Sequence, residues 1–291
     1  VSSTAVSGAP PSAGLSFARA ARRLPLGVWA YLAAVLLLLL LGPTVAPFSP
    51  TAFNPRSILR APSATFLFGT DEFGRDVFSR ILWGARPTLL LALASAAFGV
   101  ALGTPTGLLS GYFRGRMDEI IMRVMDVLMS FPALILSMFI VVMLGTNQIV
   151  VVFAIGIVFW PRSARLVRSI TLDLARREFV EAARVRGESA AYVLAREILP
   201  NMLNIVVVDL CLRVSSAVLL TASLSYLGIG VTPPTPAWGL MVRDGQQFLQ
   251  LAPWLVIFPC LTIAALSVGT VLAGDKLRER ISGPGRSVSF S

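Results

Sequence analysis

Histidine is absent from the 291 residues, lysine occurs once (Lys276), cysteine occurs twice (Cys211 and Cys260), and charged residues make up only 14% of the chain. Each shortage excludes something. Without imidazole there is no histidine-centred metal site and no histidine-based triad. Nothing fits G-x-x-x-x-G-K-[ST], and the sole lysine lies near the C-terminal end, so a Walker-type nucleotide site is excluded. The two cysteines fall in apolar runs, where a thiol behaves as a small hydrophobe, and they imply no disulfide. The spans also lack the paired carboxylates a membrane-embedded hydrolase would need.

What is abundant is apolar. Hydrophobic residues reach 55% and mean hydropathy is +0.77, far from the roughly 25% charged makeup of soluble domains, so the chain belongs in a bilayer. A formal charge of +10 would suit a nucleic-acid binder, but the basic residues cluster between apolar runs, as membrane topology requires.

Crossing about 30 Å of hydrocarbon takes about 20 apolar helical residues. Six runs qualify, near 26–47, 87–111, 124–145, 148–166, 203–228 and 252–273. The fourth is short, its strictly apolar part ending at Trp160-Pro161, with Arg162 and Arg165 able to snorkel if the helix continues. The expected fold is an all-α membrane protein with six transmembrane helices. Arginine distribution sets its orientation. One side collects Arg19, Arg22 and Arg23, then Arg114, Arg116 and Arg123, then eight arginines from Arg162 to Arg196, then Lys276, Arg278, Arg280 and Arg286. The other holds Arg56, Arg60, Arg75, Arg80, Arg86 and Arg243. The richer side is cytoplasmic, so both N- and C-termini are expected there.

Residues 1–25, rich in Ser, Ala, Gly and Pro, read as a disordered cytoplasmic tail, and 276–291 as a second one. Arg22-Arg23 followed by an apolar stretch and Thr44-Val45-Ala46 has features of a secretory signal. Its apolar core exceeds the usual 7–15 residues and Pro47 follows the small residues, so a retained first span is expected. Residues 48–86 form a long external loop, 87–275 the core, and 172–201 a cytoplasmic loop with helical pattern.

Within that loop Leu174, Phe179, Ala182, Ala183 and Val185 interleave with Asp173, Arg176, Arg177, Glu178, Glu181, Arg184 and Arg186, predicting an amphipathic helix over 172–186. Gly187 stops it, Ser189 caps a second helix of about 189–199, and Pro200 ends that one. An arginine-rich amphipathic helix also suits an anionic lipid surface. The order and spacing of Glu181-Ala182-Ala183, Gly187 and Leu199-Pro200-Asn201 resemble the EAA loop of type I ABC importer permeases. That resemblance implies the type I ABC importer transmembrane-domain fold, and a hairpin that docks into an ATP-binding subunit. The family often carries histidine before its Ile-Leu-Pro-Asn, where this chain has Glu197.

Outside the hairpin, Gly69-Thr70-Asp71 with Gly74-Arg75-Asp76 resembles the external signature of peptide and nickel permeases. Ser225 to Val231, followed by Pro233-Pro234-Thr235-Pro236-Ala237-Trp238-Gly239, is similar to the C-type subunit of the dipeptide and oligopeptide group. Its prolines predict a stiff segment, with Trp238 at the headgroup boundary. The resemblance implies a multi-pass plasma (inner) membrane permease that is not itself an enzyme and binds no cofactor. Implied partners are a homologous B-type permease, two ATP-binding subunits or domains carrying ATP and Mg, an external substrate-binding protein and the lipid bilayer, with no nucleic acid. Nickel or glutathione as cargo, and a stand-alone secondary transporter, are the alternatives.

Two further expectations come from charge. Asp209 and Arg213, four apart in the fifth span, pair on one helix face and either line the translocation path or brace helix packing. Asp126 is expected to pair with Arg123 or a neighbouring loop arginine. The external motif is read either as a receptor contact or as a lid packed on the permease.

Overall fold

The computed structural model describes residues 25–282; the expected N-terminal tail and the stretch beyond Ser282, with Arg286, lie outside the described residues apart from Pro25. The described chain is helical, with a single bridge between Thr70 and Asp76 instead of any strand. In chain order the main helices are α1 (Leu26–Val45), α2 (Val77–Phe113), α3 (Gly115–Met129), α4 (Ala133–Leu144) and α5 (Gln148–Leu174). They continue with α6 (Glu178–Val185), α7 (Ala190–Tyr226), α8 (Trp238–Gly245) and α9 (Trp254–Ser282).

Helices α1, α2, α5, α7 and α9 are each long and apolar enough to cross a bilayer. The third expected span, 124–145, is a pair of helices, α3 and α4, bent by 89° at Ser130-Phe131-Pro132; counted as one broken span, the pair brings the number to six. Pro132 has no N–H to donate and disfavours helix in the residue before it, so the chain turns there while hydropathy runs on. Two other boundaries shift. The loop expected over 48–86 ends ten residues early, because Asp76 caps α2: its Oδ2 accepts from the Ser79 N–H at 2.8 Å and the Ser79 hydroxyl at 2.6 Å. Residues 276–282 continue α9 rather than opening a tail.

The bundle is built on α2 against α5. Gly99, Gly103, Gly107 and Gly111 recur every four residues on one face of α2, and a Cβ on any of them would come within 2.5–2.7 Å of α5 atoms. Without side chains there, the two backbones approach as they do at small-xxx-small membrane contacts. α7 and α9 pack on this pair and are linked by the Ser215 hydroxyl, which donates to the Ser267 carbonyl at 2.9 Å. α1 joins through Tyr31, whose hydroxyl donates to the Leu266 carbonyl and lies 2.7 Å from Thr270 Oγ1. Pro43 inside α1 leaves the carbonyl of Leu39 without its usual donor. Arg86 of α2 supplies one, donating from Nε to Leu39 O at 2.9 Å and from its terminal nitrogen to Leu40 O at 2.7 Å.

Trp238 does not reach a headgroup boundary. It is 0% exposed, its ring against Gly84 and its indole N–H on the Ile81 carbonyl at 2.9 Å, which ties α8 to the start of α2. A buried indole N–H needs a partner, and this carbonyl is one.

Candidate functional site

Residues 172–201 form a hairpin, but its arms differ from the expected pair of simple helices. α5 ends at Leu174, Arg177 is extended, and α6 begins at Glu178, so the single helix expected over 172–186 is broken. The break lets Val180 and Ala183 turn inward onto Val193, Ile198 and Met202, all fully buried. Gly187 has φ +78° and completes a Schellman turn, with Gly187 N–H on Arg184 O at 2.9 Å and Glu188 N–H on Ala183 O at 3.2 Å. A Cβ there would meet nothing within 4 Å, so the backbone angle, not space, calls for glycine.

The second arm is capped by Ser189, whose Oγ accepts from the Tyr192 N–H at 3.2 Å. It does not stop at Pro200. Val193–Ile198 forms a π-helical turn in which the Leu199 N–H reaches back to Leu194 O. The widened turn eases the ring of Pro200 past the preceding coil, so α7 continues to Tyr226. Leu199 packs against the hairpin core, and Asn201 Nδ2 donates to Glu197 O at 2.6 Å. Glu197 itself lies 3.5 Å from Arg186, joining the two arms.

Of the residues singled out in the sequence, Glu181 and Ala182 face outward, whereas Ala183 is buried in the hairpin's own core. Sequence reasoning missed Val185 as a site residue. It is 84% exposed at the tip, between Arg184 and Arg186. Its signal is its phase, since it lies on the side of α6 opposite Val180 and Ala183. Arg184 anchors the hairpin to the end of α2, its guanidinium 4.8 Å from the centre of the Tyr112 ring.

Within the bundle Asp209 and Arg213 pair at 2.9 Å, with side chains 4% and 16% exposed. The Ser163 hydroxyl of α5 donates to the other Asp209 oxygen at 2.6 Å, so both carboxylate oxygens are occupied. Asp126 pairs with Arg165 of α5, which corrects the expectation of Arg123 or a loop arginine. Arg165 is brought there because α5 continues as helix past Pro161.

In the segment expected to be external, Gly69 to Asp76 form a knot. Thr70 is buried, its hydroxyl donating to Ser57 O and accepting from the Arg60 N–H. Asp71 accepts from the Phe73 and Arg75 N–H groups, each at 2.9 Å, from Arg75 Nε at 2.6 Å and from Arg80 at 2.9 Å. Gly69 and Gly74 have φ of +74° and +71°, with Trp254 and Asn54 against their Cα hydrogens. Asp244 of α8 lines the same small cleft as Asp71, Glu72, Arg75 and Arg80. Burial pushes the Glu72 and Asp244 carboxyls above their ordinary range. Among the described residues no cluster of Cys, Asp and Glu is arranged to hold a metal ion.

These elements make a bundle of helices long and apolar enough to cross a membrane, with a packed hairpin projecting from it. Over residues 103–283 the chain matches the family described as the binding-protein-dependent transport system inner membrane component, and it belongs to that family. It is 37% identical over 246 residues to the dipeptide transport system permease protein DppC of Alkalihalophilus pseudofirmus, covering 84% of this chain and 81% of that one. It is 40% identical over 229 residues to the glutathione transport system permease protein GsiD of Pectobacterium atrosepticum, covering 79% and 76%. Its fold is similar to a chain of the MetNI methionine ABC transporter, solved in inward facing conformations, with a TM-score of 0.57 at 20% identity over 68% of this chain and 95% of that one. The chain is thus a multi-pass inner-membrane ABC importer permease subunit, as the hairpin and the external motif led one to expect.

Proposed function

We propose that this chain and a homologous B-type permease together form the membrane pathway of an importer for dipeptides and oligopeptides. An external substrate-binding protein delivers the cargo, and two ATP-binding subunits or domains, carrying ATP and Mg, drive the cycle from the cytoplasm. The observation that carries this reading is the hairpin, a packed base that projects Glu181, Ala182 and Val185 into open space. Closure of the ATP-binding partners pushes that tip, and Gly187, Leu199, Pro200 and Asn201 hold the corner through which the push enters α7.

Peptide cargo is favoured over nickel because the named cargoes of the two relatives above, a dipeptide and glutathione, both contain amide-linked amino acids and free carboxylates. Asp209 and Arg213 act as a brace between α5 and α7 rather than as a cargo site, since the Asp209 carboxylate is fully engaged. Gly69, Thr70, Asp71, Gly74, Arg75 and Asp76 shape the external loop, and the receptor rests on exposed neighbours such as Phe53 and Phe73.

Uptake of a labelled dipeptide by vesicles containing the assembled transporter tests this. Competition by unlabelled di- and tripeptides, with none by Ni²⁺, is the expected result. Uptake by this chain without any ATP-binding subunit would point instead to a secondary transporter.

A further inference from the structure

α3 is amphipathic in an unusual setting. Asp118 on its polar face takes a two-pronged ion pair from Arg168 of α5 at 2.5 Å and accepts from the Ser110 hydroxyl of α2, and Asp126 pairs with Arg165. These bonds fasten one side of α3 to the bundle and neutralise its two aspartates. The opposite side is uncovered. Met117, Ile120, Val124 and Val127, spaced three, four and three residues apart, are all exposed, Ile120 by 66%, and Phe131 extends the stripe.

The direction of α3 follows from its neighbours. α4 and α5 are joined by only Gly145, Thr146 and Asn147, so they form an antiparallel helical hairpin along the spanning direction. α3 meets α4 at 89° and therefore lies across that direction, close to the bilayer plane. It starts at Gly115, one residue beyond the end of α2 at Phe113 and next to Arg114 and Arg116. The charges left over at its rim, without an ion pair among the described residues, are Arg116 and Arg123 against one acid, Glu119, all three exposed.

Two coverings can be weighed, lipid or a helix of another subunit. Helix seams in membranes favour small residues, and the tight seam in this chain is the glycine ladder of α2. The open face of α3 has no Gly, Ala or Ser, only long or branched side chains bordered by arginine. An in-plane helix with an apolar lower face and a cationic rim has the chemistry that anionic lipid headgroups and their acyl chains complement. We infer that α3 is an interfacial helix seated on anionic phospholipid of the cytoplasmic leaflet, with Arg116 and Arg123 holding the headgroups. Through Asp118 and Asp126 it is fastened to α5, the helix that leads into the coupling hairpin.

The test uses the assembled transporter with Cys211 and Cys260 replaced by serine and a spin label on Val124→Cys, in nanodiscs of phosphatidylcholine with phosphatidylglycerol. The label should collide freely with oxygen dissolved in lipid and weakly with a water-soluble nickel chelate. Shielding from both would mean that a subunit covers the face, and free access by the chelate would mean a water-filled path; either overturns the inference. A second measurement avoids the label. Phosphatidylglycerol retained through detergent purification should bind about fivefold more weakly for each arginine lost in R116Q and R123Q. Equal retention by wild type and the double variant, with assembly intact by size exclusion, would also overturn it.

Discussion

Removing Asp209 alone should destabilise the protein far more than removing it together with Arg213. The two charges lie 2.9 Å apart, a gross attraction of roughly 6 kcal/mol at an effective dielectric near 20. Desolvation of both groups cancels most of that gain, so the net worth of the pair is small, yet either partner left alone is a buried charge. Asp209→Leu strands the Arg213 guanidinium and also takes the acceptor from the Ser163 hydroxyl, so it should cost about 3–5 kcal/mol. Asp209→Leu with Arg213→Met fills the space with apolar groups of similar size and should come within about 1 kcal/mol of wild type. The assay is thermal unfolding of the purified transporter complex, followed by dipeptide uptake in vesicles. A brace predicts that the double variant regains both stability and most uptake. Recovered stability with no uptake would refute the brace and return the pair to the translocation path.

The remaining predictions concern packing, coupling and pH. Gly103→Val places carbon atoms against Ser163 and should destabilise the α2–α5 contact by at least 1–3 kcal/mol, about the cost of overpacking a core, whereas Gly27→Ala, with nothing within 4 Å, should be neutral or slightly stabilising in the same unfolding assay. Ala183→Glu buries a carboxylate among Val180, Val193 and Ile198 and should unfold the hairpin, while Ala182→Glu should leave melting within about 0.5 kcal/mol, which hydrogen exchange over 178–198 would separate. Glu72 and Asp244 have folded-state pKa values raised by burial, so the folded loop holds protons that the unfolded chain releases. That contribution is complete below the ordinary carboxyl range and is lost as pH rises through the raised values. Amide protection of residues 69–76 should therefore decline from about pH 4.5 toward neutrality, and E72Q with D244N should flatten the profile.

The long spans could be read from the sequence because about 20 apolar residues in a row have few other uses. Angles could not. Hydropathy is a sum over a window, so 124–145 read as one span although Ser130-Phe131-Pro132 turns the chain by 89°. Pro200 misled in the other direction, because a proline signals an end only when the preceding turn is α-helical, and here it is π. The start of α2 was present as Asp76 three residues before Ser79, hidden by the charges around it. For the hairpin, motif spacing identified the loop, but which of Ala182 and Ala183 faces out depends on where α6 begins, and that is set by the break at Arg177. Trp238 was misplaced because its burial comes from Gly84, more than 150 residues away in sequence.

In the proposed function an exposed hairpin tip transmits force from ATP-binding partners. The most direct measurement is the ratio of substrate-stimulated to basal ATP hydrolysis by the assembled transporter carrying Val185→Asp. Val185 is 84% exposed, so the substitution leaves the fold of this chain intact while placing a charge at the proposed contact. The ratio should fall to near one and uptake should be lost, with the variant chain still in the membrane. An unchanged ratio together with unchanged uptake would contradict it.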